Sequence, residues 1–140
     1  MAEFVVDASA TLPWCFGDEV TADSNALLER LRASGSAIVP AHWLVEVGNG
    51  LLVAIRKGRI ALTDAILFLK SLESLEIAIE SSSLHVLHTR IMPLSIQESL
   101  TLYDAAYLEL AQRMGLPLAT RDSALIRAAN KTGVALLLHS

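Results

Sequence analysis

The sequence predicts a three-layer α/β/α sandwich with a central, mostly parallel sheet. Two observations carry that reading. Four short, continuously apolar runs are each bounded by turn residues, the pattern of strands buried on both faces. Between them lie longer stretches with apolar positions at helical spacing. Strands that alternate with helices imply crossover connections and a sheet covered on both sides.

The first strand is expected at residues 4–6, Phe4-Val5-Val6, ending on Asp7. A helix over 22–33 carries Ala26, Leu27, Leu28 and Leu31 inward and stops at Ser34-Gly35, a plausible cap. A second strand, 37–39, runs up to Pro40. The next helix, 42–57, places Leu44, Val45, Val47, Leu51, Leu52 and Ile55 on its apolar positions and closes at Gly58. Thr63 can cap a helix reaching about Leu75, with Ile66, Leu67 and Leu69 inward. A weaker strand follows at 77–79. The stretch from Leu84 to about Glu98 has a helical pattern, but Pro93 should kink or break it. Residues 102–114 form a strongly amphipathic helix ending at Gly115. A strand at 117–120, a helix at 123–131 capped by Asp122 and ended by Gly133, and a last strand at 134–138 complete the chain.

A length of 140 residues, 53% of them hydrophobic and 19% charged, suits one domain over 1–140 with a single core and argues against disorder. The longest apolar runs are far too short to span a bilayer, so no membrane association is expected. The first residues have no basic flank and meet an acid at once, unlike a signal peptide. A lone cysteine, Cys15, suits a reducing compartment, and a cytoplasmic location follows. The net charge of −4 argues against a partner held through its phosphates. That objection weakens if several acids share one metal site, because a bound divalent cation reverses the local sign.

In open α/β sheets, sites form beyond the C-terminal ends of strands, near the point where strand order reverses. Asp7 and Asp122 both follow strands. Either could serve only as a helix cap. Asp104 lies in the first turn of an almost wholly apolar helix, where the dipole favours an acid by about 0.3–1 kcal/mol. Glu46, in Leu44-Val45-Glu46-Val47, is not expected to gain from such an end. An acid on an apolar stretch is usually paired or coordinating. Together the four make a possible oxygen-ligand site, suited to Mg²⁺ or Mn²⁺. His42, His85, His88 and His139 form no zinc pattern with Cys15, and His85 and His88 read as surface residues. Gly48-Asn49-Gly50 lacks the lysine and hydroxyl of a phosphate loop.

The residues that decide between these readings come in blocks. They are Phe4-Val5-Val6-Asp7-Ala8-Ser9, Val39-Pro40-Ala41-His42-Trp43 leading to Glu46, Leu102-Tyr103-Asp104-Ala105-Ala106-Tyr107, and Pro117-Leu118-Ala119-Thr120-Arg121-Asp122. In this order, over nearly the whole chain, they resemble the PIN-domain family, and within it the VapC-type toxins of toxin–antitoxin pairs. Gly48 and Gly50 depart from it, since relatives often carry alanine there. The resemblance implies a PIN-like fold and a metal-dependent endoribonuclease whose acids are Asp7, Glu46, Asp104 and Asp122. Asp7 and Asp104 would be the most direct ligands. Glu46 would complete the shell, and Asp122 would hold a second cation or orient water. Ser9, Asn49 and Thr120 would be polar supports. It also implies an RNA substrate, a homodimer and a cognate antitoxin that neutralises the toxin. Trp14, Phe16, Trp43 and the helices around Leu51 and Ile66 offer more hydrophobic surface than one small core needs, which suits such partners. Arg56, Lys57 and Arg59 form the densest basic cluster, a solvated helix end or a patch that positions RNA.

Two rivals are weaker. A phosphatase of the haloacid-dehalogenase type would need an acid where Ser9 stands, and a phospho-receiver would need a late lysine before the last helix. A non-catalytic binding module would have no reason to keep four acids. Two carboxylates ~5 Å apart repel by roughly 3 kcal/mol at an effective dielectric of 20.

Overall fold

Three apolar residues that are completely buried, Phe4, Val5 and Val6, make β1 (Phe4–Val6) the axis of the protein. The computed structural model describes residues 1–138. After β1 come α1 (Ala8–Thr11), a single 3₁₀ turn, α2 (Ala22–Ala33), β2 (Ala37–Pro40) and α3 (Trp43–Arg56). Then follow α4 (Leu62–Glu73), β3 (Ile77–Glu80), α5 (Leu84–Val86), a π turn over Leu87–Ile91, and α6 (Met92–Glu98). The chain closes with α7 (Leu102–Met114), β4 (Leu118–Ala119) and α8 (Ser123–Thr132).

The sheet has the order β3-β2-β1-β4 and every pairing is parallel. The chain moves outward from β1 through β2 to β3, then returns to the other side of β1. The strand order therefore reverses between β1 and β4, and their C-terminal ends open the crevice where a site is expected. Helix α7 lies against β1 and β2 and touches α6 and α8. Its completely or nearly buried Ala105, Tyr107, Leu108 and Leu110 fill the core beside Val39, Leu118 and Leu125. Gly115 and Gly133 end α7 and α8 at positive φ (66° and 84°), where a side chain would be strained.

Several expectations need correction. The strand at 134–138 reduces to one parallel bridge, Leu118 with Leu136, because β4 itself is only two residues long and offers little ladder. The 62–73 helix starts before Thr63, and Asp64 reaches back to accept the Ala61 N–H at 3.3 Å. Ile66, Leu67 and Leu69 are exposed, while Ala65 and Leu72 face the core. Pro93 does not break its helix. The π turn just before it, with Met92 N–H bonded to Leu87 O, widens the backbone where the proline ring would meet the carbonyl four residues earlier. Trp43 and Phe16 are core residues, and the half-buried Trp14 donates to Ser24 O at 2.9 Å, so none of the three is free partner surface.

Glu109, on α7 between Leu108 and Leu110, is 4% exposed. Arg113 holds it at 2.9 Å and also holds Glu80 at 2.6 Å, tying α7 to the end of β3. Removing Glu109 leaves a half-buried guanidinium with one partner. Glu109→Ala should therefore cost about 1–3 kcal/mol of stability, read as a lower urea midpoint with an unchanged slope. A midpoint equal to the wild type would mean that the pair contributes nothing.

Candidate active site

Asp7 is the last residue in line with β1 and is 3% exposed. Its N–H continues the ladder to Ala119 O, and its backbone is still extended, so its side chain caps α1. Oδ1 accepts from Ala10 N at 2.9 Å and from Ser9 Oγ at 2.7 Å, and Oδ2 accepts from Thr120 Oγ1 at 2.5 Å. The same hydroxyls reach across to the β4 loop. Ser9 Oγ accepts the Arg121 N–H at 2.8 Å, and Thr120 Oγ1 accepts the Asp122 N–H at 3.0 Å. Asp122 caps α8 through Leu125 N at 2.9 Å. The helix-cap reading of Asp7 and Asp122 is thus correct as far as it goes. It does not explain why two caps and two hydroxyls form one network.

Glu46 and Asp104 enter from the other side. Because α3 begins at Trp43, Glu46 sits in its first turn, as Asp104 does in α7. The helix-end account expected to fail for Glu46 therefore applies to both. Glu46 Oε1 accepts from Tyr107 Oη at 2.6 Å, and His42 Nε2 lies 3.5 Å from the same oxygen. Thr101 caps α7, its hydroxyl oxygen accepting the Asp104 N–H at 3.1 Å.

The electrostatics join the two halves. Burial, opposed by the bonds from Thr120, Ser9 and Ala10 and reinforced by Asp104, raises the Asp7 pKa from 3.8 to about 6. Burial also raises Asp104, with Asp122 and Glu46 adding to it and a bond with Thr101 opposing. Asp104 therefore feels all three other acids. His42 is pushed down by burial, against the pull of Glu46 and the Tyr103 carbonyl, so it does not neutralise Glu46 at pH 7.

The other buried acids among the described residues have basic partners: Glu109 has Arg113, which also holds the partly buried Glu80, and Glu98 has Lys131 at 3.5 Å. Among the described residues, no lysine or arginine pairs with Asp7, Glu46, Asp104 or Asp122. Oxygen donors with unrelieved mutual charge fit a hard divalent cation by their chemistry. Their side chains are not closed around one point: among the described residues, no three acidic, histidine or cysteine groups converge as a ready metal shell. Both Asp7 oxygens are engaged by hydroxyls, and Glu46 is turned to Tyr107.

Of the expected supports, Ser9 and Thr120 are in the network, whereas Asn49 is exposed on α3 one turn beyond Glu46 and takes no part in it. Arg59 is not a free basic patch. It reaches Glu19 at 2.8 Å and lies over the Phe16 ring at 4.3 Å. His85 and His88 are exposed and pack on each other, and His139 lies outside the described residues. Sequence reasoning missed Tyr107, His42 and Thr11. Thr11 Oγ1 donates to Asp7 O at 2.7 Å and accepts from Trp43 Nε1 at 3.1 Å. Tyr107 had a signal: a tyrosine inside an apolar helix, three residues after an acid, needs a partner for its hydroxyl.

The PIN domain family model matches residues 4–131. Among curated proteins, none matches the chain. A crystal structure of PAE2754 from Pyrobaculum aerophilum is similar with 23% identity and a TM-score of 0.73, covering 97% of this chain and 84% of that one. FitAcB from Neisseria gonorrhoeae aligns at 15% identity and a TM-score of 0.63, covering 96% of each chain. A toxin–antitoxin complex from Klebsiella pneumoniae aligns at 18% identity and a TM-score of 0.58, over 86% of this chain and 88% of that one. At these identities the likeness concerns the fold.

The unrelieved charge has consequences for stability. Between pH 3.8 and about 6 the native state keeps a proton on Asp7 that the unfolded chain releases. Its contribution is full below that window and is lost as pH rises through about 6. In EDTA the protein should melt higher at pH 5 than at pH 7.5. Asp104→Asn, which keeps the shape and removes the central charge, should raise the melting temperature at pH 7.5 and flatten the dependence. A relief of about 1 kcal/mol corresponds to roughly 3–5 °C. Millimolar Mg²⁺ should then stabilise the wild type more than the variant. A variant that melts lower than wild type in EDTA, with equal shifts on adding Mg²⁺, would mean that Asp104 serves only its helix end.

Proposed function

Since the chain belongs to the PIN-domain family, and PIN domains are in general nucleases, we propose that it is a VapC-type toxin: a Mg²⁺- or Mn²⁺-dependent endoribonuclease neutralised by a cognate antitoxin. One observation carries the reading. Four acids that have no lysine or arginine partner among the described residues lie around the reversal point of the sheet, and Asp104 is coupled to the other three.

In this reading Asp7 and Asp104 are the most direct ligands, Glu46 completes the set, and Asp122 holds a second cation or orients the attacking water. The cation supplies charge neutralisation at the phosphate and makes water a stronger acid. The protein does the rest. Ser9 and Thr120 fix the Asp7 carboxylate against β4, so its position is set before substrate arrives. Asp122 keeps its backbone tied to Thr120, which holds the α8 end beside Asp7. Asn49, exposed on α3 one turn after Glu46, would bind a phosphate or a metal-bound water in this reading.

The test is cleavage of RNA by protein freed of antitoxin, in Mg²⁺ or Mn²⁺ and in EDTA. Asp7→Asn and Asp104→Asn should each lower the rate by more than about 100-fold, beyond the range expected for residues that only hydrogen-bond to a ligand. Glu29→Gln, an exposed acid paired with Arg32, should leave it unchanged. Glu109 is unsuitable as that control, because its burial makes it structural. Equal cleavage in EDTA would exclude the metal mechanism.

Partners have support in part of the surface expected, the helices around Leu51 and Ile66, though not in Trp14, Phe16 or Trp43. Leu44, Val45, Leu62, Ile66, Leu67 and Leu69 are exposed on α3 and α4. Beside them lies a groove of about 340 Å³ lined by Trp43, Leu44, Leu69, Leu72, Leu75 and Ile79. Apolar side chains gathered in this way usually mark an interface. A homodimer through this face is expected, leaving the acids for RNA or for a basic antitoxin segment. Light scattering should give twice the chain mass, and Leu67→Glu should shift it towards the monomer. A monomer at every concentration would remove the dimer from the proposal.

A further inference from the structure

Tyr107 stands three residues after Asp104 on α7 and is 1% exposed. Its hydroxyl crosses from α7 to α3 to meet Glu46 Oε1 at 2.6 Å. Burial first, then Glu46 and Asp7, push its pKa above the usual tyrosine range, so at neutral pH the hydroxyl stays the donor. The His42 ring packs edge-on against the Tyr107 ring at 4.9 Å, and His42 Nε2 is 3.1 Å from Tyr103 O. Both side-chain contacts of Glu46 therefore fall on Oε1. Among the described residues Oε2 has no hydrogen bond.

We propose that Tyr107 is a positioning residue: its buried hydroxyl holds Oε1 of Glu46 and leaves Oε2 to be offered as a cation ligand. The inference rests on the metal reading above. A glutamate has rotamer freedom that must be lost on coordination, and a partner that already restricts the carboxylate lowers that cost before the cation arrives. Residues that hydrogen-bond to metal ligands typically change affinity 10–100-fold. The plain alternative is that Glu46 merely satisfies a buried tyrosine.

The two differ in what Mn²⁺ binding reports. Titrations of metal-free protein with Mn²⁺, followed by calorimetry, would compare the wild type, Tyr107→Phe, Glu46→Gln and the double variant. Tyr107→Phe should weaken Mn²⁺ binding roughly 10–100-fold while keeping a cooperative melt. Added to Glu46→Gln, it should cost nothing further, because the ligand it positions is already altered. A Tyr107→Phe protein with wild-type affinity, or equal losses in both backgrounds, overturns the proposal and leaves the metal reading standing. A wild type that binds no Mn²⁺ removes both. Should Tyr107→Phe fail to fold, the unmodified tyrosine reports directly. Adding Mg²⁺ to Tyr103→Phe, in which Tyr107 is the remaining tyrosine of two, should give a near-ultraviolet tyrosine difference band. Mg²⁺ binding with no such band overturns the proposal equally.

Discussion

A carboxylate sits at the end of a completely buried strand, and much of the site is arranged around it. Asp7 is tethered at both backbone and side chain: its N–H continues the sheet ladder and its two oxygens accept three hydrogen bonds. Those bonds bring together α1, the end of β4 and the start of α8. Its carbonyl extends the same constraint to α3, since Thr11 bridges Asp7 O to the indole of Trp43. Trp43 begins the helix that carries Glu46 three residues later. The position of Glu46 is thus fixed partly from Asp7, through a chain of hydrogen bonds entirely inside the protein.

The surrounding helices reduce the cost of this arrangement without removing it. Helices α3 and α7 carry site acids in their first turns, and α8 is capped by one. Each helix end offsets about 0.3–1 kcal/mol. Burial is the largest cause of the raised Asp7 and Asp104 pKa values, and repulsion among the acids adds to it. Gly50 belongs to the same economy of space. A Cβ there would meet Leu12 Cδ1 at 2.5 Å, so the departure from alanine lets the turn after α1 pack close against α3.

Much of this was legible in the sequence, for physical reasons that differ by residue. The acids at Asp7 and Asp122 were visible because a buried strand has to end, and an acid at that point is exposed by the pattern around it. The ends of the helices at Ala33 and Met114 were readable from the closing Ser34 and Gly115, both of them local signals. What failed needed the third dimension. Ile66, Leu67 and Leu69 have a helical pattern with an apolar face, yet periodicity cannot say whether that face meets the core or another chain. Glu109 lies next to Leu108 and Leu110, and nothing local reveals that Arg113 and Glu80 converge on it. Tyr107 and His42 became part of the site through contacts 61 residues away.

Burial alone would have ranked the wrong residues. Glu109 and Glu98 are as buried as Asp7, and by exposure all three belong together. Pairing separates them. Glu109 and Glu98 meet Arg113 and Lys131, so their charge is balanced inside the fold and they need nothing from outside. Asp7 is held only by neutral donors, a backbone N–H and two hydroxyls. Such bonds orient a carboxylate but leave its charge to be met by something else. The same holds for Glu46, whose partners are a protonated tyrosine and a histidine kept towards its neutral form. A structural acid keeps its counter-charge within the chain. Asp7 and Glu46 keep only neutral groups that orient them, which supports the proposal that a bound cation supplies the counter-charge.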